Sequence, residues 1–164
     1  LLNQEIDFGF VTRRERSPAI DFDFFCREEY VLVGASQTQI EPITKEAILG
    51  RKFVSYPGMA ILFDIWARHH FKAQAPGSES LRIAGFIDSL HGAITMLEHG
   101  VGIAVVPKHC VEERLKKKVL QELRGPNRTP LLNNVSIVTL AGVELPRRVH
   151  AVIEAFHEMK TGVG

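Results

Sequence analysis

The stretch EHGVGIAVVP, residues 98–107, places the end of a helix, a sharp turn and a buried strand in immediate succession. Apolar residues before it repeat at the i, i+3, i+4, i+7 spacing of one helix face, and Gly100 is the residue type that commonly ends a helix. Gly102 then lets the chain turn into four consecutive apolar residues. Pro107 ends that strand and is expected to begin another helix. A dinucleotide-binding fingerprint places its glycines after a strand, so the order here indicates an architectural unit.

The composition is that of an ordinary globular protein. The 164 residues are 45% hydrophobic and 24% charged, with a net charge of +1, which suits one domain or two small lobes. The small net charge argues against general binding to nucleic acid, and no apolar run approaches the ~20 residues that cross a bilayer. Cys26 and Cys110 have no metal-binding spacing, which indicates reduced thiols in a reducing compartment.

Strands alternate with helices along the rest of the chain, which predicts an α/β protein with a largely parallel sheet. The helix expected from Pro57 would bury a face made of Leu62, Ile65, Trp66 and His69. The final helix, expected from Pro146, would bury Val149, Ile153, Phe156 and Met159. The predicted strands lie at 6–11, within 22–34, and at 52–56, 81–87, 103–107, 119–123 and 135–140.

Catalytic signatures are missing from the sequence. It contains no nucleophile elbow, no P-loop and no HExxH motif, and its histidines are scattered over different elements. Asp7 has no partner carboxylate for acid–base chemistry. We therefore predict a protein that is not an enzyme and has no catalytic residue, metal or cofactor.

Candidate ligand-binding residues lie where predicted strands end, because parallel sheets bind ligands at the carboxyl ends of their strands. Two of these strand ends also open helices, whose backbone N–H groups favour polar or anionic ligands. Packing for the larger side chains, and turn or cap hydroxyls for the smaller ones, stay open as alternatives. The candidates are Thr12 and Arg13, then Tyr56, Pro57, Gly58 and Met59, and finally Ile87 and Ser89.

Three blocks of the sequence resemble, in order, the effector-binding domain of LysR-type transcriptional regulators. They are LLNQEIDFGFV (1–11), YVLVGASQTQIEPITKEAILGRKFVSYPG (30–58) and FIDSLHGAITMLEHGVGIAVVPKHCVEE (86–113). The resemblance implies a two-lobed fold like that of type-2 periplasmic binding proteins and a pocket that includes Thr12 and 56–59. It also implies that a small-molecule effector binds this domain, and an anionic effector is one option. The regulator is expected to form homodimers or tetramers and to act in the cytoplasm.

The same resemblance implies how the chain is divided. It places 1–33 and 142–164 in lobe I and 34–141 in lobe II, with two chain crossings as a hinge and the ligand in the cleft. Lobe I is expected to be incomplete, and DNA would be reached only through an N-terminal helix-turn-helix domain that this sequence does not contain. No membrane partner is expected. A type-2 solute-binding protein, which shares the fold, and a small α/β enzyme are the alternatives.

Overall fold

The structure is a computed structural model that describes residues 1, 5–12, 17–38 and 43–161. It contains two compact units, Leu1–Glu28 with Asn133–Gly164 (unit 1) and Glu29–Leu132 (unit 2). The strands are β1 Phe8–Val11, β2 Ile20–Ala35, β3 Lys52–Ser55, β4 Arg82–Phe86, β5 Ile103–Pro107, β6 Leu120–Glu122 and β7 Leu132–Leu140. The α-helices are α1 Lys45–Leu49, α2 Met59–Phe71, α3 Leu90–Glu98, α4 Glu112–Lys116 and α5 Arg147–Thr161.

Unit 2 is built on a mixed sheet with the strand order β2-β5-β3-β4. β2 pairs antiparallel with β5 and also with β6, whereas β3 pairs in parallel with β4 and β5. The prediction of a largely parallel sheet was therefore wrong. Strand direction depends on which distant segments pair, and the local apolar pattern does not contain that information.

The EHGVGIAVVP stretch folds as predicted. The hydroxyl of Ser89 caps α3 by accepting from the Gly92 N–H at 3.2 Å, and Gly100 follows the helix with a φ of +71°. The next strand, β5, is buried from Ile103 to Val106. A Cβ on Gly102 would lie 2.6 Å from the Lys52 carbonyl oxygen, so this close approach of two backbones requires glycine.

α2 packs a different face from the one predicted. Its buried residues are Met59, Phe63, Trp66 and Ala67, and three of the four expected ones are only half-buried. The reason is that α2 is apolar around most of its circumference, so periodicity alone does not select a face. The helix also begins at Met59, after Gly58, so Pro57 precedes it.

The segment after β5 also differs from the prediction. A helix was expected to start at Pro107, but one 3₁₀ turn, Lys108–Cys110, comes first and α4 begins at Glu112. Within the described ranges, no helix is both long and apolar enough to cross a membrane.

Unit 1 joins a strand pair to the C-terminal helix. β1 runs antiparallel to β7, with Phe8 opposite Thr139, and β7 lies next to β2 in the strand order. Phe156 of α5 stands edge-to-face with Phe10 at 5.1 Å between ring centroids. Of the face predicted to be buried, Val149 is buried, Ile153 and Phe156 are half-buried, and Met159 is 59% exposed, so the prediction was wrong for Met159.

Candidate functional site

Two helix starts lie side by side at one edge of the unit 2 sheet. β3 and β4 are parallel neighbours with Ser55 opposite Phe86, so both strands end at the same edge. The Ile87 N–H donates to the Ser55 carbonyl at 3.0 Å and joins the two strand ends. The segments that open α2 and α3, residues 56–59 and 87–89, are therefore adjacent.

The two helix starts differ in how they are capped. Ser89 caps α3 with its side chain, whereas the N-cap of α2 is Gly58, with a φ of +90° and no capping side chain. The Met59 N–H donates to the Tyr56 carbonyl at 3.0 Å. The remaining first-turn N–H groups of α2 have no side-chain cap, and they place a positive partial charge at the start of α2.

Tyr56 and Met59 lie beneath this edge and contribute to the core. Their exposed fractions are 6% and 1%, and the Tyr56 hydroxyl donates to the Val105 carbonyl at 2.8 Å. Pro57, Gly58 and Ser89 are exposed and Ile87 is half-buried. The structure thus places the predicted unit 2 residues together, with two of them as the floor and the others at the surface.

The other predicted residues belong to unit 1. Thr12 is exposed, and its carbonyl accepts from the Asn133 side-chain amide at 3.0 Å. It borders a pocket of about 440 Å³ whose other lining residues are Leu1, Phe10, Val11, Ile20, Phe22 and Val138. Arg13 lies outside the described residues.

Phe86 is a residue that the sequence analysis did not select. It is the last residue of β4, directly before the predicted Ile87, and 68% of it is exposed. A large exposed aromatic ring beside two helix starts is a surface on which the apolar part of a ligand can pack. Its position in the sequence could have indicated it, because an apolar residue that ends a strand just before a helix cap lies at the edge of the sheet.

The far end of α2 has a distinct polar environment. His70 lies on a pocket of about 260 Å³, and its ring is 4.4 Å from that of Trp66. Burial, followed by the nearby charge of His69, lowers the pKa of His70 to about 4, so the imidazole is neutral at pH 7. Among the described residues, no group of three His, Cys, Asp or Glu side chains is arranged to hold a metal ion.

A family model described as the LysR substrate binding domain matches residues 1–160. The chain belongs to the LysR substrate-binding domain family. This match confirms the resemblance that was read from the sequence blocks.

Solved structures of LysR regulatory domains share the fold. The CrgA regulatory domain from Neisseria meningitidis has a TM-score of 0.75 and 13% identity, with 97% of this chain and 78% of that chain covered. The effector-binding domain of QuiR has a TM-score of 0.69 and 15% identity, with 99% and 76% covered. These similarities confirm the predicted α/β fold of the type-2 periplasmic-binding-protein class.

A curated protein from Anaeromyxobacter dehalogenans (strain 2CP-C), named phosphonates import ATP-binding protein PhnC, is 29% identical over 153 residues. The alignment covers 90% of this chain, which spans only 27% of that protein's length. The matched residues of this chain contain no P-loop motif.

Proposed function

We propose that this chain is the effector-sensing part of a LysR-type transcriptional regulator and binds a small metabolite at the helix-start edge of unit 2. The observation that carries the proposal is that the starts of α2 and α3 are adjacent, because the backbone hydrogen bond from Ile87 to Ser55 joins the two strand ends. The α2 start supplies backbone N–H groups without a side-chain cap, and Phe86 supplies an exposed ring.

The chemistry of this edge favours a polar ligand with an anionic group. Helix N-termini attract negative charge, and an aromatic ring beside them accommodates a carbon skeleton. Three solved structures with this fold contain a bound small molecule: QuiR with shikimate, CcmR with 2-PG and full-length LysG with the effector Arg. We expect Pro57, Gly58 and Ser89 to contact the ligand and Tyr56 and Met59 to support it.

The regulatory part of the proposal concerns the whole regulator. Effector binding would shift the population of two conformations and so change how a separate DNA-binding domain meets its operator. We expect the regulator to act in the cytoplasm as a homodimer or tetramer, without chemical change of the ligand. The lobe bounds 1–33 with 142–164 and 34–141, and the roles of Thr12 and Arg13, stay predictions.

Isothermal titration of the chain with shikimate, arginine and a library of small carboxylates tests the site. We expect saturable binding of at least one compound, weakened about tenfold or more by Phe86→Ala, because the variant removes the apolar contact. Ile83→Ala is the matched control, since Ile83 is an exposed apolar residue on the same strand. Equal affinities for the two variants would place the ligand elsewhere.

Mass spectrometry of the recovered ligand separates the sensor from the enzyme alternative. A sensor returns the compound unchanged after prolonged incubation with the protein. Conversion of the compound at a rate that depends on protein concentration would overturn the proposed regulatory role.

A further inference from the structure

A basic pocket of about 300 Å³ lies at the opposite ends of the strands that carry the candidate effector site. Its lining includes Thr38, Lys52, Arg82 and the glycines Gly50, Gly100 and Gly102. Lys52, Arg82 and Ile103 are the first residues of β3, β4 and β5. The helix-start edge, where the effector is proposed to bind, follows the last residues of β3 and β4. About four residues of extended strand, or roughly 13 Å, separate the two ends.

Lys52 and Arg82, two of the described residues that line this basic pocket, carry the same positive charge. Lys52 stands directly opposite Arg82 in the parallel register of β3 and β4, and both residues are exposed. No described carboxylate lines the pocket. Like charges opposite each other on neighbouring strands repel and destabilise the sheet, so the pair is favoured by an anion that lies between the two side chains.

These cations are not required to cap the helices that end nearby. The Gly50 N–H donates to the carbonyls of Glu46 and Ile48 at the end of α1. At the end of α3, the Gly100 N–H donates to Leu97 and the Val101 N–H to Met96, at 3.0 and 3.1 Å. Backbone N–H groups therefore already satisfy carbonyls of both last turns, so neither helix end requires Lys52 or Arg82 as a cap.

The walls of the basic pocket combine fixed backbone with a hydroxyl-bearing residue. Gly50, Gly100 and Gly102 contribute no side chain that would fill the space. The backbone of Gly102 lies so close to the Lys52 carbonyl that a side chain would not fit there. Thr38 is held by its N–H, which donates to the Ala35 carbonyl at 2.8 Å, and by the Gln121 amide, which donates to the Thr38 carbonyl. A preformed concave site of this kind costs little ordering when it binds a small ligand.

We propose that the basic pocket is a second binding site, specific for a small multivalent oxyanion such as a phosphate ester or a dicarboxylate. Lys52 and Arg82 supply the charge, and the Arg guanidinium can bind two oxygens at once. The site does not depend on the proposed effector edge. Bound anion stabilises unit 2 by mass action, so the ligand would tune the stability of the sensor from a position away from the effector.

The test is a titration of the ¹⁵N-labelled chain with pyrophosphate and, separately, with citrate, followed by the amide signals of Gly50, Gly100 and Gly102. We expect saturable shifts at these three glycines with at least one anion. The double variant Lys52→Gln/Arg82→Gln should weaken binding tenfold or more. Lys116→Gln/Lys117→Gln is the matched control, since it removes the same charge from exposed side chains of α4 and its flank and should bind as the parent does.

Each outcome bears on the proposal. If both double variants bound the anion with the same affinity, the anion would not depend on Lys52 and Arg82, and this result would overturn the site. An absence of saturable shifts with either anion would overturn it as well. Binding of pyrophosphate alone assigns a phosphate ligand and binding of citrate alone a carboxylate. Phe86→Ala should leave anion binding unchanged, which separates this result from that of the effector edge.

Discussion

His70 shows how the packing of one helix end sets the charge of a side chain. The ring contacts Trp66 and is packed beneath Gly125, where a Cβ would collide with the imidazole. Its Nδ1 atom is buried and has no hydrogen-bond partner among the described residues. A proton on this ring would therefore be poorly solvated, and the folded chain keeps the imidazole neutral.

Acid should destabilise the chain through this histidine. The pKa of His70 falls from 6.5 to about 4 on folding, so between these pH values the unfolded chain binds more protons and the free energy of unfolding decreases as pH falls. We expect a loss of about 1–2 kcal/mol from this group, allowing for solvent near a half-buried side chain. Urea unfolding between about pH 7 and pH 4.5 measures it.

The comparison that isolates His70 uses two variants. His70→Gln should lose this part of the pH dependence, whereas His91→Gln, which changes an exposed histidine, should retain it. Parallel pH curves for His70→Gln and the parent chain would show that the histidine is not the group responsible.

At the scale of the element, the start of α2 depends on a glycine that adopts a left-handed conformation. Gly58 has a φ of +90°, and no atom lies within 4 Å of the position where a Cβ would be, so only the backbone conformation disfavours a side chain. Gly58→Ala should cost about 1–2 kcal/mol. Gly50→Ala is the control, because Gly50 caps α1 with a φ of −69° and should change stability by less than about 0.5 kcal/mol.

Urea unfolding of both variants decides this prediction. Equal stabilities would mean that the α2 start relaxes when Gly58 is replaced, and the edge would then be less preorganised than its geometry indicates. A loss confined to Gly58→Ala supports a fixed helix start in the candidate site.

Elements with one-sided patterns were the ones predictable from the sequence. α3 has small and apolar residues on one face, a serine cap and a terminal glycine. Three of the four residues at the helical spacing, Ala93, Ile94 and Leu97, are buried, and Leu90 is half-buried. α2 is apolar on most sides, so its buried face is set by the sheet it meets. The mixed strand directions depend on pairings between β2 and segments about 70 or more residues away, which no local signal contains.

The sequence was enough to locate the candidate site but not to assign a role to each of its side chains. Alternation of strand and helix was enough to place residues 56–59 and 87–89 at strand ends. That Tyr56 donates its hydroxyl to Val105 depends on tertiary packing, as does the exposure of Phe86. Sequence patterns therefore predicted which segments meet, while the direction of each side chain required the folded sheet.

At the scale of the whole molecule, the two units differ in how much apolar surface each one buries within itself. Unit 2 has an extensive core of buried residues from β2, β3, β5 and helices α2 and α3. Among the described residues of unit 1, the buried apolar ones are Ile137, Val138 and Val149, while Phe10, Phe24 and Met159 are 42–59% exposed. Stability follows buried apolar area, so the units should open with different free energies.

Hydrogen exchange measured by mass spectrometry should show this difference. Amides of β5 are expected to exchange about a hundredfold or more slowly than those of β1, after correction for intrinsic rates. Equal protection of the two strands would mean that the chain opens as a single cooperative unit.

The packing around Trp66 gives the molecule a built-in optical reporter. This tryptophan is the chain's single one, is 1% exposed, and contacts His70 within unit 2. Protonated imidazole quenches indole emission, so intrinsic fluorescence should dim when His70 is protonated and shift to the red when unit 2 unfolds. Acid protonation of His70 and unfolding of unit 2 can then be followed without an attached dye.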